Sequence, residues 1–255
     1  MFQEGSDTGA ASSTRFVFGV NPALEALRAR PQEIDRLFFA EGSLSPSVAG
    51  EILSRAKDAG VRVDQVPRER LAAFAEGGVH QGIVLEMRDF AYAELEDLVK
   101  EPGIIVVLDS LQDPQNVGAI IRSANAFGAK GVVIAKDRAA AITGSVTKAS
   151  AGATEHTQIA RVTNLSRALE ELKEKGWWTV AADPAGEPLG TKPLEGNLAV
   201  VIGAEGPGVR QGVLAQCDFK VRIPMLGDVA SLNASVSAGI LLYEIVRQRA
   251  APTKS

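Results

Sequence analysis

The sequence predicts an α/β protein of two domains, because strand-like and helix-like stretches alternate along most of its length. A small alternating domain is predicted at 15–85 and a larger parallel-sheet domain at 103–250. The larger domain begins with Ile104–Asp109, an apolar run that is typical of a strand buried on both faces. Residues 1–14, which are rich in Gly, Ser, Thr and Ala, are predicted to be a disordered tail, and 86–102 a linker.

Composition narrows the class of protein. The chain has 255 residues, 45% of them hydrophobic, which is enough apolar material for true cores. Its net charge of −4 argues mildly against a nucleic-acid partner, although a basic face can exist on an acidic protein. The single Cys217, predicted to be a small buried residue, and the two histidines, His80 and His156, disfavour a disulfide, a zinc site or any other metal site. No secretory signal and no apolar run of ~20 residues is present, so we expect a cytoplasmic protein without a membrane segment.

The N-terminal domain opens with the strand-like stretch 16–20, and Asn21 with Pro22 predicts the cap and first turn of a helix. Gly60 is placed to end a second helix, because a helix commonly ends at a glycine in the left-handed conformation. The elements predicted after the first helix are a strand at 34–40, a helix at 46–59, a strand at 61–63, a helix at 68–76 and a closing strand at 83–85.

In the larger domain, Asp113 followed by Pro114 predicts the start of a helix whose inner stripe includes Val117 and Ile121. The helix at 164–175 is amphipathic and ends at Gly176. The remaining predicted elements are strands at 131–135, 156–162, 177–182, 198–202 and 219–223, and helices at 145–152, 209–216 and 232–249. Parallel strands of this kind bind ligands beyond their carboxyl ends.

Three loops lie at such strand ends. The first region, 109–125, reads DSLQDPQNVGAIIRSAN; the second, 201–209, reads VIGAEGPGV; the third, 223–240, reads IPMLGDVASLNASVSAGI. The glycine-rich second loop has neither the dinucleotide spacing G-x-G-x-x-G nor a phosphate-loop lysine, so a nicotinamide or nucleotide-triphosphate enzyme is disfavoured. Asn116 and Arg122 lie six residues apart, about 120° around a helix, where both can flank one cleft.

Together and in this order, the three regions resemble the three motifs of the SpoU (TrmH) family of RNA ribose 2′-O-methyltransferases, over roughly 104–250. The stretches FGVNP and VHQGI of the N-terminal domain resemble a small α/β fold of RNA-binding ribosomal proteins. Family members of the RlmB type combine the two and methylate a guanosine of 23S rRNA. The resemblance implies a SPOUT domain with a deep trefoil knot, S-adenosylmethionine as cofactor, and a homodimer formed through the knotted domain.

The resemblance also implies roles for individual residues. Arg122 matches the family's proposed base or activator of the 2′-hydroxyl, and we expect it to be essential. The positions that orient this arginine and the ribose are matched by Asn116, Glu205, Ser231 and Asn233. The family's cofactor contacts correspond to Gly203, Ile223, Leu232, Ile202, Met225 and Ala234.

Several alternatives stay open at this stage. One alternative to a 23S rRNA substrate is a ribose of transfer RNA. Another is that the protein is a non-catalytic RNA-binding or assembly factor of the same fold. Either phosphate binding or plain solvation accounts for the basic residues Arg28, Arg30, Arg55, Lys57, Arg62, Arg68 and Arg70. The apolar residues of the last helix suit a partner or a core, and they are Leu241, Leu242, Ile245 and Val246.

Overall fold

The computed structural model describes residues 14–229 and 231–250, which form two sheets with helices packed against them. The N-terminal sheet has four strands in the order β1-β4-β2-β3. These strands are β1 (Thr14–Phe18), β2 (Ile34–Phe39), β3 (Arg62–Gln65) and β4 (Ile83–Arg88). The helices of this domain are α1 (Val20–Ala29), α2 (Pro46–Asp58) and α3 (Arg68–Phe74).

The C-terminal sheet has six strands in the order β10-β8-β9-β5-β6-β7, and all neighbours in it pair in parallel. Its strands are β5 (Ile104–Asp109), β6 (Gly131–Ala135), β7 (Ile159–Val162), β8 (Trp178–Pro188), β9 (Leu198–Gly203) and β10 (Phe219–Arg222). The helices are α4 (Leu95–Leu98), α5 (Pro114–Ala126), α6 (Gly144–Ala149), α7 (Leu165–Glu174), α8 (Gln211–Leu214) and α9 (Ala234–Ala250). The predicted parallel-sheet α/β domain behind a smaller α/β domain is therefore confirmed.

Strand β5 is buried on both faces, as its unbroken apolar run predicted. Val106 and Leu108 pack in one core with α5 and α9, whereas Ile105 and Val107 pack in a second core with α7. Successive strand residues point to opposite faces, so one run of six residues contributes to both cores. The cap predicted at Asp113 is also present, and Asn164, the first residue of the predicted helix at 164–175, caps α7.

The four apolar residues of the last helix, which suited either a partner or a core, are largely buried in α9. Leu241, Leu242 and Ile245 are fully buried in the core beside α5, and Val246 is partly buried against it. They are therefore core residues, and the exposed apolar side chains of this helix are others, Val236 and Tyr243.

Several predicted boundaries were wrong. Asn21 does not cap α1; the N-cap residue is Gly19. Its φ of 100° is a backbone conformation that residues other than glycine rarely adopt, and it lets the chain turn directly from β1 into the helix. Thr14 is the first residue of β1 rather than the last of the tail, and the rest of the predicted tail lies outside the described residues. His156 ends a short 3-10 turn, so β7 begins only at Ile159.

Further differences concern element lengths. Strand β8 continues six residues past its predicted end because it resumes pairing with β10 after a register shift, and β4 runs three residues beyond residue 85. Helix α9 begins two residues later than predicted, and α6 and α8 are shorter than predicted. The trefoil knot stays a prediction of the resemblance.

The segment predicted to be a linker is packed against the C-terminal domain. Phe90 is buried in the core beside α5, and the Tyr92 hydroxyl accepts a hydrogen bond of 3.1 Å from the backbone N–H of Ile142. Ala93 forms a β-bridge with Ala160. These contacts fix the path of the chain between the two sheets.

Cys217 is half-buried rather than fully buried, and it packs at the edge of the core beside α7. Burial raises the pKa of its thiol to about 11. Neither a helix long and apolar enough to cross a membrane, nor a cluster of three or more His, Cys, Asp or Glu side chains suited to a metal ion, occurs within 14–229 and 231–250.

Candidate active site

The first two motif loops begin at neighbouring positions of the sheet. Asp109 ends β5 and Gly203 ends β9, and these two residues are register partners. Asp109 is fully buried, and its carboxylate accepts hydrogen bonds from the backbone N–H and Nε of Arg210, at 2.8 and 2.7 Å. The salt bridge therefore ties the residue that follows the second loop to the start of the first loop.

The glycine-rich loop folds back on itself directly after β9. The N–H of Gly208 donates to the carbonyl of Ala204 at 2.9 Å. A Cβ on Gly203 would lie 2.1 Å from the carbonyl carbon of Gly208, far inside van der Waals contact. Only glycine at 203 permits this approach, which explains in physical terms the glycine that the motif places there.

The three motif loops meet in a polar triad of Asn116, Glu205 and Asn233. The Nδ2 of Asn116 donates to Oε1 of Glu205 at 2.9 Å. The Nδ2 of Asn233 donates to the same oxygen at 2.5 Å and to Oδ1 of Asn116 at 2.8 Å. Residues separated by up to 117 positions are thus joined by direct hydrogen bonds.

The orientation of the Asn233 amide follows from its position at the start of α9. Its Oδ1 accepts hydrogen bonds from the backbone N–H groups of Ser235 and Val236, at 2.9 and 3.3 Å, and so caps the helix. With the oxygen directed at the helix, Nδ2 faces the other two members of the triad. The Asn233 side chain therefore both caps α9 and takes part in the triad.

A cavity of about 290 Å³ lies beside the triad, between the second and third motif loops. Its walls include two of the predicted catalytic residues, Glu205 and Ser231, and all six residues matched to cofactor contacts: Ile202, Gly203, Ile223, Met225, Leu232 and Ala234. Other parts of the lining are the glycine-rich loop and the apolar side chains of Ile223, Met225 and Leu232. Such a mixture suits a ligand with a flat apolar portion and polar ends.

Arg122 stands apart from this group. It lies on α5, about 9 Å further along the helix axis than Asn116. Its side chain is exposed, does not line the cavity, and forms no hydrogen bond or ion pair with any residue that the structure describes. The structure therefore joins three of the five predicted catalytic residues directly, places Ser231 in the cavity wall, and leaves Arg122 open to an incoming ligand.

Sequence reasoning missed one wall of the cavity. Ala182, Asp183 and Pro184 line it where β8 leaves its first register with β10. The Asp183 side chain accepts a hydrogen bond of 2.8 Å from the backbone N–H of Ala185 and so shapes this bulge. An Asp-Pro pair after a strand at the same sheet edge was the available signal.

Most basic residues of the N-terminal domain are neutralised by carboxylates. Arg28 and Arg55 share Glu51, and Arg62 pairs with Asp64. Arg68 instead donates to the hydroxyl of Ser43 at 3.1 Å, and Arg70 lies over the ring of Phe74. For the paired arginines, ion pairing within the domain is the better description than phosphate binding.

Comparison with known proteins supplies the family. The SpoU rRNA Methylase family model matches residues 103–243, and a model for RNA 2′-O ribose methyltransferase substrate binding matches residues 16–93. YacO of Bacillus subtilis, whose name places it in the TrmH family of tRNA/rRNA methyltransferases, is 43% identical over 242 residues, covering 92% of this chain and 96% of its own. An uncharacterized tRNA/rRNA methyltransferase of Mycolicibacterium vanbaalenii is 42% identical over 243 residues, covering 92% of this chain and 77% of its own.

The solved structure of the SpoU methyltransferase AviRb from Streptomyces viridochromogenes, in complex with AdoMet, matches with a TM-score of 0.77 at 26% identity. That match covers 92% of this chain and 90% of AviRb. The same family is indicated by the models over both domains, by relatives over nearly the whole chain and by the shared fold. The chain therefore belongs to the SpoU rRNA methylase family of S-adenosylmethionine-dependent RNA methyltransferases, as its three loop motifs predicted.

Proposed function

We propose that the protein transfers the methyl group of S-adenosylmethionine to a ribose 2′-hydroxyl of RNA, with a guanosine of 23S rRNA as the substrate. The observation that supports this most strongly is the triad of Asn116, Glu205 and Asn233 beside a cavity lined by every residue matched to the cofactor. The N-terminal domain, matched by an RNA substrate-binding model, supports an RNA substrate.

The residues around the cavity fit the proposed cofactor. Ile223, Met225 and Leu232 offer apolar surface for an adenine ring, and the exposed backbone of the loop after Gly203 offers hydrogen-bonding groups. The carboxylate of Glu205 supplies negative charge for a sulfonium at the same cavity. When bound, S-adenosylmethionine supplies an electrophilic methyl group, and no metal is required for its transfer.

The triad and Arg122 have separate tasks in this proposal. Asn116 and Asn233 hold the Glu205 carboxylate in one orientation, which positions the ribose for attack. A guanidinium has hydrogen-bond donors and no acceptor, so Arg122 acts by stabilising charge on the 2′-oxygen or by binding an RNA phosphate. The same groups would serve a transfer-RNA substrate, and the relatives named as tRNA/rRNA methyltransferases make that the second candidate.

We also propose that the protein acts as a homodimer through the C-terminal domain. Several large apolar side chains on α9 and on the loop after β10 are exposed, and packing against a second copy of the chain would remove them from water. They are Val236, Tyr243, Met225, Leu226 and Val229.

The decisive experiment measures transfer of labelled methyl from S-adenosylmethionine to total RNA that is then separated by size. We expect label in the large ribosomal RNA, and its loss in Arg122→Ala with cofactor affinity retained. Arg167→Ala is the matched control, because Arg167 is an exposed helix arginine in a surface ion pair. Label in transfer RNA alone would overturn the substrate, and label in no RNA would favour a non-catalytic RNA-binding factor.

A further inference from the structure

The two domains are joined by a buried ion pair. Arg15 of β1 donates to both carboxylate oxygens of Glu155, with distances of 3.0 Å from Nη1 to Oε1 and 2.8 Å from Nη2 to Oε2. The Glu155 side chain is fully buried, and Arg15 is only 7% exposed. A bidentate pair is directional as well as strong, so it fixes orientation in addition to contact.

Neighbouring groups complete this contact. The hydroxyl of Thr154 donates to Oε1 of Glu155 at 3.1 Å, and Nε of Arg30 donates to the Glu155 carbonyl at 3.1 Å. The guanidinium groups of Arg15 and Arg30 both lie over the ring of Phe90, 5.3 and 5.1 Å from its centre. The chain segment between the domains is therefore part of the same cluster.

The rim of the contact uses the two N-terminal sequence stretches that the proposed chemistry leaves unexplained. The side-chain oxygen of Gln81, from VHQGI, accepts hydrogen bonds from the N–H of Val20, in FGVNP, at 3.1 Å and from Nζ of Lys148 at 2.5 Å. Lys148 belongs to α6 of the C-terminal domain, and burial lowers its pKa. Both stretches therefore meet a cation of the other domain.

Two glycines let the domains approach each other closely. A Cβ on Gly144, the first residue of α6, would lie 2.0 Å from the carbonyl oxygen of Phe16. A Cβ on Gly152 would lie 2.7 Å from Cβ of Glu25 on α1. An interface that excludes even a methyl group at two positions is shaped for one docked arrangement.

The same segment packs against the helix that bears the site. A Cβ on Gly118 of α5 would lie 2.5 Å from Cβ of Ala149 in α6, so the two helices are in backbone contact there. Gly118 lies two residues beyond Asn116, a member of the triad. Hence α6 and the turn after it lie directly between the N-terminal domain and the reaction site.

We propose that Glu155 and Lys148 are positioning residues that hold the N-terminal domain in one orientation relative to α5 and the triad. The proposal rests on the proposed function, because its consequence concerns RNA. A fixed orientation sets the distance between RNA bound to the N-terminal domain and the ribose at the triad, so one nucleotide is selected by register. The N-terminal domain is thus a rigid part of the substrate site rather than a mobile arm.

The test uses the full chain with Cys217→Ser and two spin labels, on Ser54→Cys and Glu170→Cys, which are both exposed positions in different domains. Labelled chains are diluted with an excess of unlabelled chains, so that in the proposed dimer only distances within one chain are measured. We expect a single narrow distance distribution in this parent and in the control Glu171→Gln, which removes only a surface ion pair. Glu155→Gln and Lys148→Met should broaden the distribution. Lys148→Met leaves the buried pair intact, so the proposal stays testable if Glu155→Gln fails to fold.

Kinetics separates positioning from folding. Without spin labels, Glu155→Gln should lower kcat/KM for RNA by about tenfold or more while the Kd for S-adenosylmethionine changes less than about twofold. It should also spread methylation to neighbouring riboses. Narrow distance distributions in both variants would refute the fixed contact, and broad distributions with unchanged RNA kinetics and unchanged target nucleotide would refute positioning. If the parent methylates no RNA, the proposed function fails, whereas the distance distributions still report on the contact itself.

Discussion

The substitution Asn233→Asp tests the triad with almost no change in shape. Aspartate keeps the oxygen that caps α9 and is as good a helix cap as asparagine. It replaces Nδ2, which lies 2.5 Å from Oε1 of Glu205 and 2.8 Å from Oδ1 of Asn116, with an oxygen that cannot donate. Two hydrogen bonds therefore become contacts between acceptors, one of them between two carboxylates.

The size of the effect follows from charge separation. Two unit charges about 4 Å apart repel by about 1 kcal/mol in water and about 4 kcal/mol at the effective dielectric of a protein surface. Glu205 and Asn233 are both exposed, so we expect the free energy of unfolding to fall by only about 1–2 kcal/mol at pH 8. Methyl transfer should fall about tenfold or more, because the Glu205 carboxylate is displaced from its position.

The loss of stability should depend on pH. Repulsion from Glu205 should raise the pKa of the carboxyl group introduced at position 233 above the ordinary value of about 4. A group whose pKa is raised by folding binds more protons in the folded state, so stability falls as pH rises from about 4 through that raised pKa. The difference in unfolding free energy between Asn233→Asp and wild type should be small at pH 4 and largest at pH 8.

Urea unfolding at pH 4, 6 and 8 measures this difference. Asn233→Ala is the comparison, because it loses the cap, worth about 1 kcal/mol, without adding a charge. Its difference from wild type should therefore vary little with pH. An equal destabilisation of Asn233→Asp at pH 4 and pH 8 would refute the contact between residue 233 and Glu205.

Three further predictions follow from packing and burial. Gly203→Ala forces a Cβ toward Gly208, so it should lower the free energy of unfolding in urea by about 1–3 kcal/mol. It should also weaken S-adenosylmethionine binding measured by calorimetry. Unchanged affinity would show that the loop is not part of the cofactor site. Cys217, whose pKa is raised to about 11, should be about 0.03% thiolate at pH 7.5. It should therefore react with a disulfide reagent at least about tenfold more slowly than free cysteine, at a rate that rises toward pH 11. A fast reaction at neutral pH would contradict its burial. Leu241→Ala should lower the free energy of unfolding by about 2–5 kcal/mol, because Leu241 is fully buried. Tyr243→Ala should barely change the free energy of unfolding at low protein concentration, but should lower the molar mass measured by light scattering from that of a dimer to that of a monomer. The reverse pattern would mean that Tyr243 is the core residue and Leu241 the interface residue.

Local signals predicted local structure well. The apolar run of β5, the cap at Asp113 and the glycine at 176 each act within a few residues, so sequence alone located those elements. The cap of α1 was missed because Asn21 is a good cap by type, whereas Gly19 supplies the positive φ that the chain needs on leaving β1.

Contacts between distant parts of the chain could not be predicted in this way. The ion pair between Arg15 and Glu155 joins residues 140 positions apart, and nothing near either residue distinguishes it from a surface charge. The second register of β8 likewise depends on β10, whose first residue lies 31 positions after the last residue of β8. Burial of Leu241 and exposure of Tyr243 depend on which face of α9 meets α5.

The family and the parallel-sheet fold were therefore determined by the sequence itself, and so was the list of candidate site residues, because the motifs combine residue types whose chemistry and backbone freedom are local properties. Tertiary structure alone decided that Asn116, Glu205 and Asn233 share hydrogen bonds, that Arg122 stays apart from them, and that a buried carboxylate joins the two domains. The physical reason is that hydrogen bonds and ion pairs require separations near 3 Å. Such separations between distant residues arise only when the whole sheet and its helices have packed.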